Sequence, residues 1–409
     1  MQHFQFSASQ SLHGVRYEIR GRLAAKAEEL ENAGHDVLKL NIGNPGRFGF
    51  RAPESLNAAI RSHLADSDAY GHQKGLFSAR SALANQQLTR FGVAVAAENI
   101  FIGNGVSELI DLSLRALLNA DDEVLIPSPD YPLWTAAVTL NGGRAVSYPC
   151  HPENGFVPNA LDIEALITPR TRALVVINPN NPTGAVYPLQ TLKEIAALAE
   201  RYSLVVMSDE IYNDITFDTA RFVPMAALVS EVPVFSYCGL SKVHRACGYR
   251  VGWLSLSGNL SGARALLDGI ELLSSLRLCA NVPAQWAIEP ALQEHSIFEL
   301  TAPNGRLYET RQALIEACAG SRHLRIHAPA GAIYGFPQVI QPGFDDEVFA
   351  YRLLESKHIL IVPGSSFNFV RRDHFRITLL PEAKQMRQVI ERIDECIGEM
   401  AESLALEAA

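Results

Sequence analysis

Nothing in this sequence approaches the 18–20 consecutive apolar residues of a membrane-spanning helix, a span of roughly 30 Å. Its longest apolar runs, such as Ala173–Ile177, have the length of a buried strand. No C-x-x-C pair occurs among Cys150, Cys238, Cys247, Cys279, Cys318 and Cys396, and no H-E-x-x-H or clustered Cys/His spacing occurs either. A metal site is therefore not expected, and reduced thiols are the simplest reading of the cysteines. There is no long basic run. Lys+Arg total 35 against 44 Asp+Glu, a net charge of −9, which argues against a protein that coats nucleic acid. Met1–Ser11 lacks a basic stretch followed by an apolar core, so no secretory signal is expected and the cytoplasm is the expected compartment.

What is present is an ordinary folding composition. Hydrophobic residues make up 48% and charged residues 19%, which excludes wholesale disorder. At 409 residues the chain suits two domains. Arg16–Gly34 reads as a charged helix ending at a glycine, and Asp36–Ile42 as a short strand broken by the turn cluster Gly43-Asn44-Pro45-Gly46. From about residue 54, helical stretches (Glu54–Leu64, Ser78–Phe91, Val106–Leu118, Leu189–Arg201) alternate with seven short apolar runs. These runs are Ile100–Ile102, Glu123–Ile126, Ala145–Tyr148, Ala173–Ile177, Leu204–Met207, Val234–Tyr237 and Gly252–Leu256. Strands separated by helices predict an α/β domain on a mostly parallel sheet, with ligands beyond the carboxyl ends of its strands. After about residue 296 a helix (Asn304–Cys318), strand-like pieces (Ile333–Phe336, Ile359–Val362, His374–Thr378) and a closing helix (about Pro381–Leu404) predict a smaller α+β domain. The expected division is 1–53 as an arm with part of the small domain, 54–295 as the large domain and 296–409 as the rest of the small one.

Six features could carry chemistry. Lys242, in Gly239-Leu240-Ser241-Lys242, follows the strand Val234–Tyr237, where an amine can form a Schiff base with a carbonyl; Ser241 and Arg250 could hold an anion beside it. A surface lysine is the alternative. Gly103-Asn104-Gly105-Val106-Ser107 lies between a strand and a helix and suits either a phosphate or a plain capped helix. In Asn178-Pro179-Asn180-Asn181-Pro182-Thr183-Gly184, Asn181 can offer its amide to a ligand, or the segment is only a loop. Asp209, in Ser208-Asp209-Glu210-Ile211-Tyr212, follows the run Leu204–Met207 and faces either a ligand such as a pyridinium nitrogen or a helix cap. Tyr131, in Pro127-Ser128-Pro129-Asp130-Tyr131-Pro132, could stack on an aromatic ring or pack the turn. Arg376, inside His374-Phe375-Arg376-Ile377-Thr378, needs an anionic partner: a substrate carboxylate or a structural salt bridge.

Taken together, these motifs resemble those of the class I, fold-type I pyridoxal-phosphate aminotransferases. The likeness runs from Leu38–Gly43 to Phe375–Ile377. It is carried by Asn178–Gly184, Ser208-Asp209-Glu210-Ile211-Tyr212, Ser241-Lys242 with Arg250 eight residues on, and Tyr70 with Gly75 five on. Ile102–Ile110, Pro129–Val138 and Arg277–Gln285 add a likeness to the bacterial glutamate–pyruvate (alanine) aminotransferases.

The resemblance implies that Lys242 carries pyridoxal 5′-phosphate and later shuttles the substrate's Cα proton. It implies phosphate binding by Arg250, Ser241, Ser107 and the Gly105–Val106 amides. Asp209 would pair with the ring nitrogen, Asn181 and Tyr212 would hydrogen-bond the ring's phenolate oxygen, and Tyr131 would stack on the ring. Arg376, with Asn181 and the Gly43 backbone, would bind the substrate α-carboxylate. Tyr70 would reach the phosphate of the partner in a homodimer. The implied reaction moves an amino group from an L-amino acid, alanine or glutamate, to pyruvate or 2-oxoglutarate. A larger amino acid, or a non-transaminating reaction of the same fold, stays open.

Gly239 stands where serine is frequent in the wider class, and phosphate binding should survive with Ser241. Departures near the expected substrate pocket bear on specificity. Gly335 replaces a bulkier residue, which would enlarge the pocket. Arg371 and Arg372 fall in a stretch that is aromatic and proline-rich in the alanine enzymes, which would favour an acidic side chain unless they sit on a surface loop.

Overall fold

The computed structural model describes residues 6–15 and 21–407, with side chains described to residue 402. Among the described residues, one seven-stranded sheet organises the middle of the chain. Its strands are β1 (Ile100–Gly103), β2 (Glu123–Ser128), β3 (Arg144–Pro149), β4 (Thr171–Ile177), β5 (Val205–Asp209), β6 (Pro233–Gly239) and β7 (Gly252–Gly258). The spatial order is β1-β7-β6-β5-β4-β2-β3. Only β7 runs antiparallel to its neighbours. All seven apolar runs read from the sequence are strands here, each within about two residues of its expected bounds.

Alternation along β4 explains why helices cover both faces. Leu174 and Val176 pack with Leu192, Ile195 and Ala199 of the helix Leu189–Arg201. Ala173, Val175 and Ile177 pack on the other side with Leu109, Ile110 and Leu117 of the helix Val106–Leu117. A side-chain period of two makes one short strand serve both layers, as a buried parallel sheet requires. Because the parallel strands share a direction, the carboxyl ends of β2, β4, β5 and β6 open on one edge.

A separate core joins the two ends of the chain. Leu23 and Ala27 meet Leu314, Leu353, Phe375, Ile377 and Ile393, and Leu38–Lys39 pairs in parallel with Ile359–Leu360. Phe375–Thr378 forms β8, which pairs antiparallel with Tyr334–Gly335 and Val362–Pro363.

The first helix is described over Arg22–Asn32, and residues 16–20 of the expected helix lie outside the described residues. Gly34, at φ +93°, closes it as expected. The Gly34 and His35 amides donate to the Glu31 and Leu30 carbonyls, so the left-handed glycine satisfies the last turn. Helices at Leu133–Leu140, Arg264–Leu276 and Asp346–Lys357 were not expected from the sequence. No helix among the described residues is long and apolar enough to cross a membrane.

Candidate active site

A cavity of about 660 Å³ opens where the strand ends meet the second core, lined by Lys242, Asp209, Asn181 and Arg376 among others. Lys242 lies three residues beyond β6, and its Nζ donates to the Gly43 carbonyl at 2.8 Å. That contact removes the surface-lysine alternative and brings Gly43 to the same point.

Asp209 is the last residue of β5, and no helix begins there, so its carboxylate is not a cap. The Trp134 indole N–H donates to its Oδ2 at 3.1 Å, and the Ile211 amide reaches Oδ1 at 3.4 Å. Burial pushes this carboxyl up to about 6, against the pull of Trp134, the Ile211 amide and Lys242. A buried carboxylate with one long, weak contact at Oδ1 has room for one more strong donor.

Arg376 is 1% exposed. Its Nη1 donates to Asn181 Oδ1 at 2.9 Å, and its Nη2 donates to the Asn41 carbonyl. The guanidinium lies between the Tyr334 and Phe367 rings, 4.3 and 4.7 Å from their centroids. Its Nε has no partner among the described residues. No carboxylate pairs with Arg376 among the described residues, which removes the structural salt bridge as an explanation. A buried cation with only neutral partners is an incomplete arrangement, and an anion entering the cavity completes it.

Asn181 is free to reach inward because its neighbours hold the loop. Asn178 Oδ1 accepts from the Tyr187 amide, and Asn180 Oδ1 accepts from the Thr183 amide and hydroxyl.

Two glycines shape the anion seat at the start of the helix Val106–Leu117. A Cβ on Gly105, at φ +87°, would run into the Arg250 guanidinium, and a Cβ on Gly252 would lie 2.6 Å from the Val106 nitrogen. Ser107, Ser241 and Arg250 line the same wall. Arg250 donates only to neutral acceptors, the Cys247 carbonyl at 3.0 Å and the Asn104 carbonyl at 3.3 Å. The Gly105 amide is already spent on the Gly103 carbonyl at 2.8 Å, so of the two amides expected at the phosphate the Val106 amide is left, at the helix start. With a guanidinium that has no carboxylate partner among the described residues, it suits a phosphate.

Tyr131 and Tyr212 also face the cavity. The Tyr212 hydroxyl donates to Tyr334 Oη at 2.9 Å. Burial raises Tyr212 well above the ordinary phenol range. Burial would raise Tyr334 too, but the Lys242 and Arg376 cations and the Tyr212 hydroxyl together hold it below that range.

Tyr70 is the expected residue that does not join this cavity. It is 79% exposed on the surface of the chain. Tyr334, which lines the cavity, and Trp134, fully buried behind Asp209, are site residues the sequence reading missed. Their signals were present in Tyr131-Pro132-Leu133-Trp134 and Ile333-Tyr334-Gly335, but nothing local says that an indole supports Asp209 or that a phenol backs Arg376.

One specificity expectation is corrected, and the surface-loop alternative is supported for the other. A Cβ on Gly335 would collide with Leu314, so this glycine closes the second core and does not enlarge the cavity. Arg371 pairs with Glu153 and Asp373, and Arg372 with Asp345, Asp346 and Glu347. Their charge is held there, away from the cavity lining. Gly239 has a steric reason: an added Cβ would lie 2.7 Å from the Val251 carbonyl oxygen on the neighbouring chain segment.

An amine at a strand end, an underused buried carboxylate and a glycine-walled anion seat fit a phosphorylated pyridine aldehyde, which places the protein among the pyridoxal-phosphate enzymes. Residues 35–393 match the family model for aminotransferase class I and II. The chain is 45% identical to the glutamate–pyruvate aminotransferase AlaA of Escherichia coli K12, over 91% of this chain and 93% of that one. It is 43% identical to an alanine aminotransferase of Mycobacterium tuberculosis, over 95% and 92%. A crystal structure of an Escherichia coli aminotransferase superposes with a TM-score of 0.94 at 43% identity, covering 96% of this chain and 98% of that one. The chain belongs to the class I and II aminotransferase family, and is a pyridoxal-phosphate-dependent transaminase of amino acids and 2-oxo acids.

Proposed function

We propose that the protein exchanges amino groups between alanine and glutamate and their 2-oxo acids, pyruvate and 2-oxoglutarate. The names of the two relatives support this choice of substrates, and the observation that carries amino-acid binding itself is Arg376: a buried guanidinium whose described partners are all neutral. Every such substrate brings an α-carboxylate, which a planar guanidinium holds through two parallel N–H donors. Asn181 and the Gly43 backbone flank the same point.

When bound, the cofactor supplies an electron-withdrawing pyridine ring that weakens the substrate's Cα–H bond. Asp209, with Trp134 fixing its Oδ2, would hold a proton on the ring nitrogen. Tyr131 would stack on the ring, and Asn181 would donate to its phenolate oxygen, as would Tyr212 once its hydroxyl turns from Tyr334. Ser107, Ser241, Arg250 and the Val106 amide would hold the phosphate. Lys242 Nζ would hold the cofactor in the resting protein. Displaced by the substrate's amine, the freed lysine would be the base that moves the Cα proton. Lys242 and Arg376 line one cavity, so a substrate held by its carboxylate would present its Cα–H bond near the lysine.

We divide the chain into 54–295 and a unit of 1–53 with 296–409; the packing of Leu23 and Ala27 with Leu314, Phe375 and Ile393 supports joining the two ends. We read the protein as a cytoplasmic homodimer in which exposed Tyr70 serves the partner's phosphate. Sedimentation at micromolar concentration tests the dimer, and a monomer with full activity would contradict it. Incubation with L-alanine and 2-oxoglutarate, followed by chromatography, tests the reaction. Equal amounts of pyruvate and glutamate are expected. Consumption of neither substrate would reject these two as the pair.

A further inference from the structure

Asp130 is fully buried beside the cavity, yet no step above uses it. Its Oδ2 accepts from the Thr135 hydroxyl at 2.6 Å and its Oδ1 from the Asn368 side-chain amide at 2.8 Å. The same amide lies 3.1 Å from Thr135 Oγ1, closing a three-residue ring. The backbone repeats the link. The Asp130 amide donates to the Phe367 carbonyl at 2.9 Å, and the Ser128 hydroxyl to the Asn368 carbonyl at 2.7 Å.

Two parts of the site hang on this junction. Asp130 immediately precedes Tyr131, a wall of the cavity. Asn368 immediately follows Phe367, whose ring backs the Arg376 guanidinium. Residues 128–135 belong to the large sheet and its helices, whereas 367–368 come from the part of the chain that carries β8. The junction therefore crosses between the two parts of the chain that build the cavity. Asn368 sits at φ +54°, a left-handed conformation that asparagine tolerates better than most residues. Its side chain and its backbone are both fitted to this one place.

We propose that Asp130 and Asn368 are positioning residues for the carboxylate site: their hydrogen-bonded pair locks Phe367 behind Arg376 and ties it to the Tyr131 segment. Substrate affinity then depends on a contact that touches neither substrate nor cofactor. Burial drives the Asp130 carboxyl up to about 7, opposed by Thr135 and Asn368, so its charge near neutrality depends on the same donors.

The proposal rests on the reading of Arg376 as the carboxylate site, and the test separates the two. Asn368→Gly keeps a left-handed backbone available and removes the amide. It is expected to raise KM for both the amino acid and the 2-oxo acid by about tenfold, the size of one hydrogen bond to a charged group. The same variant should leave kcat nearly unchanged and the affinity of cofactor-free protein for pyridoxal phosphate unaltered. The exchanged pair, Asp130→Asn with Asn368→Asp, restores a donor facing an acceptor and is expected to recover most of the lost affinity. An unchanged KM in Asn368→Gly overturns the proposal. So does a kcat that falls as far as KM rises, or a matching loss of cofactor affinity, since each marks a general structural role. Arg376→Lys is measured beside them. If it leaves KM unchanged, the carboxylate reading itself fails; if it raises KM while Asn368→Gly does not, only the proposal fails.

Discussion

Arg376→Lys is the substitution that separates binding of the α-carboxylate from every other role of this residue. The charge stays, but the fork is lost. In place of two parallel N–H donors, a lysine presents one compact ammonium on a flexible stem. Arginine already uses one donor on Asn181 and one on the Asn41 carbonyl, and keeps Nε unpartnered inside the cavity. The two flanking rings hold the guanidinium plane between them, a restraint that a tetrahedral ammonium does not share. The variant loses one charge-assisted hydrogen bond to substrate, worth about 1.5–3 kcal/mol. At 1.4 kcal/mol per decade, kcat/KM falls roughly 10- to 150-fold. The fall is the same for every amino acid accepted, because each presents the same α-carboxylate. The assay is initial-rate kinetics with L-alanine, L-glutamate and a longer aliphatic amino acid, at saturating 2-oxo acid. A loss confined to one substrate would mean that Arg376 reads side chains. No loss at all would refute the inference drawn from its neutral surroundings.

Lys242→Ala is expected to abolish turnover while leaving the fold intact by circular dichroism; full activity in that variant would sink the mechanism. Asp209→Asn gives opposite results with and without cofactor. The Asp209 carboxyl sits at about 6 in the folded protein, above its value of 3.8 in an open chain, so the folded state keeps the proton longer. Its stability contribution is whole below about pH 4 and is lost as pH climbs through about 6. The cofactor-free variant should therefore match the parent near pH 4 and be more stable by about 3 kcal/mol above pH 6, measured by urea unfolding. The same substitution should lower kcat by at least about a hundredfold, because it breaks a buried charge pair with the ring. A stability difference that does not vary with pH would contradict this account of Asp209. Tyr70→Phe is expected to weaken pyridoxal-phosphate binding by about tenfold, one hydrogen bond to a charged group. An unaltered affinity would remove Tyr70 from the phosphate site.

The large sheet was legible because its strands are continuous apolar runs bounded by turn residues, a pattern local enough to read. The helices missed have local causes too. Leu133–Leu140 is apolar on nearly all sides, with Trp134, Ala137 and Val138 buried, so it shows little helical periodicity. Most site residues were legible for a different reason: each occupies a strand end or a loop whose residue types are unusual for a plain turn. Tyr334 and Trp134 were not legible, since their roles arise from contacts with residues 122 and 75 positions away in the chain. The pocket reading at Gly335 failed on the same ground, while at Arg371 and Arg372 the surface-loop alternative is the one the structure supports. Only the fold reveals that Leu314 already fills the space beside the glycine and that acidic neighbours already hold the arginines.

The central claim is that Lys242, Asp209 and Arg376 form one site that moves an amino group from an amino acid to the cofactor. Its most direct test is the absorbance spectrum of the purified protein with pyridoxal phosphate, recorded before and after L-glutamate or L-alanine is added alone. The account predicts a visible band that requires Lys242, and its replacement by a near-ultraviolet band as the amino acid leaves as its 2-oxo acid. A protein that binds the cofactor with no visible band would contradict the role of Lys242. A visible band that neither amino acid converts would contradict the proposed donors.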